Sequence, residues 1–522
     1  MGEAVHGQRM QYDTIIVGSG AAGGVLAARL TEDPDHSVLL LEAGPDYPDS
    51  SAMPDTVRYG YGVGGNVLQG VHNWDFAATA SHQANMRVPR GKVIGGSTAV
   101  NGQIFLRGVP EDYDSWAAAG NTEWSYEKLL PFFRKMETDL DFPDDFHGTD
   151  GPIPCGRFKP EEWPAPARAF FEAARDTGFP ECPDQNSPDS TGVGPVPLNN
   201  VDRVRWSTAI AYLEPARHRL NLTVRGGCLV RRVLFEGKRA VGVEVESGGE
   251  VFHAYGREII LSGGAMGSPH ILMLSGIGPE GQLREHGVPV VLDLPGVGQN
   301  LRDHPTVWLS WSVREGVQLD PLMYPDHVSL RYTASGSHLK NDMIIYVSAG
   351  RDLVARDGER SGQIGIRMRA RLDLALGKGE LRLASADPHE QPSLDYRYLE
   401  DPFDRERLRE AVRTAVRISQ HRAFCDIIKE RLEPSDDVLA DDDALDDWML
   451  GVVTTGHHSS GTCRMGAPDD PMAVVDQYGH VHGLEGLRVM DASIMPDCVR
   501  ANTNATVLAM GERAADFIRR GM

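Results

Sequence analysis

Residues 12–17 form an apolar run that reads as a buried strand, and residues 21–31, rich in Ala, Gly and Leu, read as a helix behind it. The run Ser37-Val38-Leu39-Leu40-Leu41 is a second buried strand and ends at Glu42. Strand, helix and strand in this order make one β-α-β unit, parallel and right-handed by default. Between about 228 and 262 the pattern changes to hairpins. Residues 229–235 lead through Glu236-Gly237-Lys238 into 240–246, and Ser247-Gly248-Gly249 leads on to the apolar strand 258–261. Segment 399–421 reads as an amphipathic helix entered through Asp401-Pro402, with Leu408, Val412, Val416 and Ile418 near one face. A last helix is expected from about Ala505 to Arg519, with Arg519, Arg520 and Gly521 as its cationic and glycine stop. Nucleotide-type segments alternate with irregular β-rich ones, and no linker divides the chain. The pattern therefore predicts interleaved domains.

The chain has 522 residues, enough for two to four domains, and its 57 Gly and 33 Pro point to many tight turns. A net charge of −22 without any basic block argues against nucleic acid and anionic membrane surfaces as partners. Six scattered cysteines without a C-x-x-C pair favour a reducing compartment and give neither a zinc site nor a disulfide framework. The first eleven residues lack the apolar core of a signal peptide, and no run approaches eighteen apolar residues. A cytoplasmic protein with no membrane span is expected.

Gly18-Ser19-Gly20-Ala21-Ala22-Gly23 fits G-x-G-x-x-G between a strand and a helix. The first glycine allows the turn, the second lets backbone approach a pyrophosphate, and the third lets helix pack on strand. Glu42, at the end of the second strand, can accept ribose hydroxyls and would repel a 2′-phosphate. This unit alone suits NAD or FAD. A second glycine-rich run, Arg90-Gly91-Lys92-Val93-Ile94-Gly95-Gly96-Ser97-Thr98-Ala99-Val100-Asn101, favours FAD, because a long flavin cofactor extends past the first unit. Gly264-Ala265, Ser268-Pro269 and Ser275-Gly276 bound a capped helix.

Among 18 histidines, His480 and His482 share one face of an expected strand, but no carboxylate or cysteine stands at ligand spacing, so packing is the reading and no metal site is expected. His304, in Arg302-Asp303-His304-Pro305, reads as a turn brace. His457 and His458 are adjacent, so in extended chain one at most faces a given pocket. The residues alone do not choose between them.

Together these stretches resemble the glucose–methanol–choline (GMC) family of flavin-dependent oxidoreductases, in its choline-dehydrogenase-like and hydroxymethylfurfural-oxidase-like branch. The resemblance rests on the dinucleotide motif, Asn73-Trp74-Asp75, the stretches 91–114 and 264–278, Pro295-Gly296-Val297-Gly298-Gln299-Asn300-Leu301-Arg302-Asp303-His304-Pro305, and the tail through Asp491-Ala492-Ser493-Ile494-Met495-Pro496 to Asn504. It implies an α/β fold in which a Rossmann-like FAD domain (1–155, 227–305 and 450–522) interleaves with a substrate domain built on a mostly antiparallel sheet with helices (156–226 and 306–449). Two residues separate the family's catalytic histidine from Gly-Thr, which selects His458; the second catalytic position corresponds to Asn504. The expected cofactor contacts are Gly18, Ser19, Gly20, Ala21, Ala22 and Gly23, then Glu42, Ala43 and Trp74. Arg90, Val93, Gly95, Gly96, Thr98, Asn101, Gly102 and Ile104 follow in the second loop, then Val230, and in the tail Asp491, Ala492, Thr503 and Asn504. Some members attach FAD through a histidine just before the signature asparagine. Val100 stands there, which implies non-covalent FAD.

The implied reaction is oxidation of an alcohol to an aldehyde or ketone. His458 would take the hydroxyl proton, Asn504 would hold the oxygen, and a hydride would pass to flavin N5. Dioxygen or another acceptor would then take the electrons. Trp308, Trp311, Tyr324 and Met343 are candidates for the pocket wall, although each singly reads as sheet core. A hydroxynitrile lyase that keeps FAD structurally is the alternative.

Overall fold

The computed structural model describes residues 11–63, 68, 70–354 and 360–522. The expected first unit is present as β1 (Gln11–Val17), α1 (Ala21–Leu30) and β2 (Val38–Leu41). β3 (Leu222–Arg225), β4 (Leu229–Glu236), β5 (Arg239–Ser247), β6 (Glu250–Leu261) and α2 (Gly264–Leu274) follow. Farther on lie β7 (Pro305–Val313), β8 (Val328–Tyr332), β9 (Met343–Val354), β10 (Arg360–Leu372), α3 (Pro402–Ser419), β11 (Ile428–Glu433), β12 (Thr454–Thr455), β13 (Leu487–Val489) and α4 (Thr503–Arg519).

One sheet has the order β3-β2-β1-β6-β5-β4, with β13 paired to β6. β1 lies parallel to both β2 and β6, which buries the apolar runs of all three, as parallel sheets require. β6 serves two neighbours: its first half closes the β5 hairpin antiparallel, and from Tyr255 on it runs beside β1. The sequence shows only its last four residues as a strand, because Glu250, His253 and Arg257 break the apolar run. Helices α1 and α4 pack on each other so closely that a Cβ on Gly511 would stand 3.0 Å from Val25. Arg29 of α1 reaches buried Glu512 of α4 at 2.8 Å.

A second sheet has the order β11-β7-β10-β9-β8 and ends in the edge strand Gly192–Pro195, all antiparallel. Its apolar face, with Leu309, Ile345, Met368 and Ala370, is buried. α3 starts at Pro402 rather than at 399, because the Asp401 carboxylate accepts from Phe403 N at 2.8 Å and caps it there. Short β12 joins β7 with Thr455 opposite Pro305. That pairing lays residues 455–460 alongside 302–305, with Arg302 and Ser460 exchanging both backbone bonds at 2.9 Å. No helix among the described residues is long and apolar enough to cross a membrane.

A buried ion network gathers around the short strand Glu137–Asp139, which pairs with Ile153–Cys155 apart from both large sheets. His147 meets Glu137 at 3.0 Å, Asp139 at 3.1 Å and Asp184 at 2.9 Å. Arg107 pairs with Glu137, and Arg157 with Asp139 and Asp184. Burial opposes a charge on His147, but the hydrogen bonds to its three carboxylates outweigh it and push its pKa up to about 11. Three carboxylates thus face two guanidiniums and one imidazolium, a balanced set.

Candidate active site

β1 ends where Gly18 turns at φ +98°, a region that favours glycine. A Cβ there would stand 2.4 Å from the Ser262 carbonyl oxygen, and one on Gly23 would stand 1.9 Å from the Gly18 carbonyl oxygen. Gly20 differs: a Cβ on it would meet nothing within 4 Å. The first and third glycines therefore serve packing, and the second faces open space at the N-terminus of α1. Ala21 and Ala22 begin that helix.

Glu42 is buried, which raises its pKa. Opposing this, its carboxylate accepts from Ser19 Oγ (2.6 Å), Gly44 N (2.9 Å) and Ser19 N (3.1 Å). Ala43 is carried in the turn between Glu42 and Gly44. Ser19 Oγ also accepts from Gly95 N at 2.9 Å, so the second glycine loop rests on the first. Gly96, at φ +52°, comes so near that its Cβ would stand 2.9 Å from Gly20 Cα. Thr98 Oγ1 donates to the Gly95 carbonyl at 2.6 Å and accepts from Thr208 N at 3.0 Å, and Thr208 Oγ1 donates to the Ser19 carbonyl at 3.1 Å. Thr208 ties both loops together, yet it lies 189 residues from Ser19 and carries no motif.

Around this cradle, Val93, Ile104 and Val230 are buried, and Gly102 has open space at its Cβ position. Asn101 is half-buried and accepts from Gln103 N at 3.0 Å. Trp74 lies under the Lys92 ammonium at 4.4 Å. Arg90 donates to Ser459 Oγ at 2.7 Å and links the second loop to the tail. Asp491 is buried and accepts from Ser268 Oγ (2.6 Å), Ser493 N (2.7 Å) and Gly264 N (2.9 Å), fastening the tail to the start of α2, with Ala492 half-buried beside it. The two ends of the chain meet.

The two tail histidines part at His457, whose φ is +69°. This left-handed residue, rather than an extended chain, sends the rings apart. His458 is buried and His457 is exposed. His458 N donates to Asp303 Oδ1 at 2.8 Å, and Asp303 Oδ2 accepts from Thr455 (2.5 Å), Tyr398 (2.9 Å) and Ser459 (3.3 Å) hydroxyls. His304 is fully buried and does more than brace a turn. Its Nδ1 lies 2.8 Å from His458 Nδ1, and its Nε2 lies 3.1 Å from Cys498 Sγ. Burial lowers the pKa of both rings, and for His458 the Arg371 guanidinium and the two neighbouring histidines add to it. Both rings are neutral at neutral pH.

α4 begins at Thr503, two residues before the expected Ala505, so Asn504 lies inside its first turn and is not its cap. Asn504 Nδ2 is buried and finds no acceptor among the described residues. Asn502, the N-cap, accepts at Oδ1 from Tyr346 Oη (3.3 Å) and from Arg371 Nη1 (3.4 Å) and Nη2 (3.5 Å). Arg371 is itself held by Asp373, with Nη2 to Oδ2 at 2.8 Å. Asp303, His304, Arg371 and Asn502 were missed as site residues, and for Asn502 a signal existed, since it stands in the same Asn-Thr-Asn stretch.

His480 and His482 do not share a strand, and Asp476 stands beside His480 at 3.0 Å, correcting the expectation of no neighbouring carboxylate. The pair still has separate partners, since His482 Nε2 bonds the Gly466 carbonyl at 3.1 Å. Of the four wall candidates, Trp311, Tyr324 and Met343 are buried, and half-buried Trp308 lies beneath the guanidiniums of Arg367 (4.1 Å) and Arg369 (5.3 Å).

Residues 12–306 and 375–511 match the N- and C-terminal regions of the family described as GMC oxidoreductase. Oxygen-dependent choline dehydrogenase of Chromohalobacter salexigens is 38% identical over 543 residues, covering 98% of this chain and 95% of that protein. Mitochondrial choline dehydrogenase of Mus musculus is 37% identical over 536 residues, covering 98% of this chain and 89% of that one. Among solved structures, pyridoxine 4-oxidase from Mesorbium loti matches with a TM-score of 0.89 at 31% identity, covering 98% of this chain and 99% of that one.

Proposed function

Because this chain belongs to the GMC oxidoreductase family and is an FAD-dependent enzyme of alcohol oxidation, we propose that it converts an alcohol to an aldehyde or ketone with His458 as general base and holds FAD without a covalent bond. The observation that carries the base assignment is the Nδ1–Nδ1 contact of 2.8 Å between His304 and His458.

The residues fit FAD. Gly20 leaves open space before the N-terminus of α1, where backbone N–H groups receive a pyrophosphate. Glu42 is poised at the end of β2 for ribose hydroxyls, and the orphaned Nδ2 of Asn504 calls for an acceptor that the described residues do not supply. Val100, with no nucleophilic atom, supports non-covalent binding. We assign 1–155, 227–305 and 450–522 to the FAD-binding domain and 156–226 with 306–449 to the substrate domain. Six unpaired cysteines favour a cytoplasmic setting.

Bound FAD supplies the acceptor for the hydride that leaves the carbinol carbon. His304 Nε2 lies 3.1 Å from Cys498 Sγ, whose S–H is directed at the His458 carbonyl at 3.6 Å, so a ring N–H of His304 donates to that sulfur. Its Nδ1 faces His458, so the donating nitrogen is Nε2 and Nδ1 is left to accept. His458 then carries its proton on Nδ1, and its Nε2 lone pair is free to take the hydroxyl proton. Asn504 Nδ2 donates to the substrate oxygen as the proton leaves. A second reading has its own observation: Asn502 is joined through Arg371 to the surroundings of His458, so Asn502 meets the alcohol and Asn504 the cofactor.

Anaerobic mixing with primary, aryl and polyol alcohols tests the reaction. Bleaching of the flavin by any of them supports oxidation, whereas turnover of a cyanohydrin without bleaching would establish the lyase alternative. Admitting dioxygen afterwards distinguishes an oxidase from an enzyme that uses another acceptor.

A further inference from the structure

β10 carries arginines at alternate positions, Arg367, Arg369 and Arg371, and alternate positions of a strand share a face. The opposite face, with Ile366, Met368 and Ala370, is buried core. The arginine face looks toward the tail, since Arg371 reaches Asn502. Arg369 stands about 7 Å farther along that face. Register places it between Trp308 of β7 and Tyr346 of β9, and its guanidinium lies 4.3 Å from the Tyr346 ring centre and 5.3 Å from that of Trp308.

Two nitrogens of Arg369, Nε and Nη2, are buried and have no hydrogen-bond acceptor among the described residues. Their N–H groups share one edge of the guanidinium, the edge that a carboxylate bridges with two parallel bonds. The neighbouring acid does not fill it. Asp326 Oδ2 lies 3.6 Å from Nη2, beyond hydrogen-bond reach, and Asp326 Oδ1 accepts from Ser348 Oγ at 2.6 Å. By contrast Arg371, two residues on, has both its paired nitrogens taken by Asp373.

We propose that the natural substrate is an alcohol that also bears a carboxylate, received side-on by Nε and Nη2 of Arg369. This rests on the alcohol-oxidising reading above. The aromatic rings on either side fix the guanidinium plane, so the anion sets how far the carbinol end reaches toward His458. An alcohol bearing a quaternary ammonium meets a like charge at the same edge and is disfavoured.

The test compares matched substrates that differ only in the anion. kcat/KM is measured for 4-(hydroxymethyl)benzoate against its carboxamide and for 6-hydroxyhexanoate against its carboxamide, with benzyl alcohol and hexanol as neutral alcohols. The holoenzyme should favour the carboxylate in at least one pair by more than about tenfold, the scale of a charge-assisted bidentate contact. Arg369→Met should bring that ratio to about 1, Arg369→Lys should keep part of it, and Asp326→Asn should increase it. Each ratio is internal to one variant, so loss of folded protein cancels. Carboxamides equal to or better than carboxylates in both pairs, or a ratio that survives Arg369→Met, overturns the proposal while the alcohol-oxidising reading stands. Failure of every alcohol, neutral ones included, to reduce the flavin overturns both.

Discussion

His304 and His458 face each other Nδ1 to Nδ1 at 2.8 Å, and both are buried. Two nitrogens at that distance hold one proton between them, so the tautomer of one ring dictates that of the other. His304→Leu removes the acceptor and lets His458 carry its proton on either nitrogen. Flavin reduction in stopped-flow should slow by about 10–100-fold, the usual effect of losing a partner that orients a reactive histidine. His304→Gln, whose amide oxygen can accept, should recover part of the rate. Equal rates for the Leu and Gln variants would refute tautomer control.

His458 itself is held neutral by burial and by Arg371. A base is active when neutral, and this one titrates well below 6.5, so the reduction rate should be flat through neutral and alkaline pH and fall only in acid. His458→Ala should keep FAD and lose about 10²–10⁴-fold in the reduction rate. An inflection near neutrality in the wild-type profile would contradict the assignment.

The two amides of the tail turn separate by readout. If Asn504 meets the alcohol, Asn504→Ala slows reduction and leaves FAD content intact, with Asn502→Ala mild. If Asn502 does, the slow variant is Asn502→Ala, and Asn504→Ala shows lowered FAD content. The ratio of flavin to protein absorbance, together with stopped-flow traces, decides between them.

Gly18 and Gly20 should respond oppositely to a side chain. Gly18→Val forces a left-handed β-branched residue against the Ser262 carbonyl and should destabilise the protein by at least about 1–3 kcal/mol. Gly20→Val has room in the fold but occupies the space before α1, so it should lose FAD while the FAD-free protein melts near the wild-type temperature. Full FAD retention by Gly20→Val would remove the cradle from that position.

The His147 network makes stability depend on pH. Its folded pKa is raised to about 11, so the protonated ring stabilises fully below the unfolded value near 6.5, and that contribution fades as pH rises toward 11. Asp139 and Asp184 are shifted down, so their contribution fades instead as pH falls through acid. The melting-temperature difference between wild type and His147→Gln should be largest near pH 6 and shrink toward pH 10. A difference that grows with pH would be incompatible with a charged His147.

What the sequence revealed depended on distance along the chain. The β-α-β unit, Glu42 and the hairpins are local patterns, and they stand where periodicity placed them. The ends of elements moved by a few residues wherever a cap decided them, as Asp401 does for α3. His458 was separable from His457 only by family spacing, because the cause, a left-handed His457, leaves no mark in composition. Thr208, Asp303 and Arg371 were invisible as site residues for a different reason. Each acts on partners brought close by β12 pairing with β7 or by loops stacking, and no run of neighbours announces such a meeting.

The packing of α4 on α1 has a consequence for the order of events during synthesis. The helix that opens the nucleotide cradle leaves the ribosome almost five hundred residues before the helix that covers it, since Arg29 and Glu512 are 483 residues apart. Until that last segment is made, α1 keeps an apolar flank exposed, and Ser19 waits for Gly95 and then Thr208. The dinucleotide motif is therefore translated early and completed late. A growing chain carries the signature of a flavin site long before it can retain a flavin.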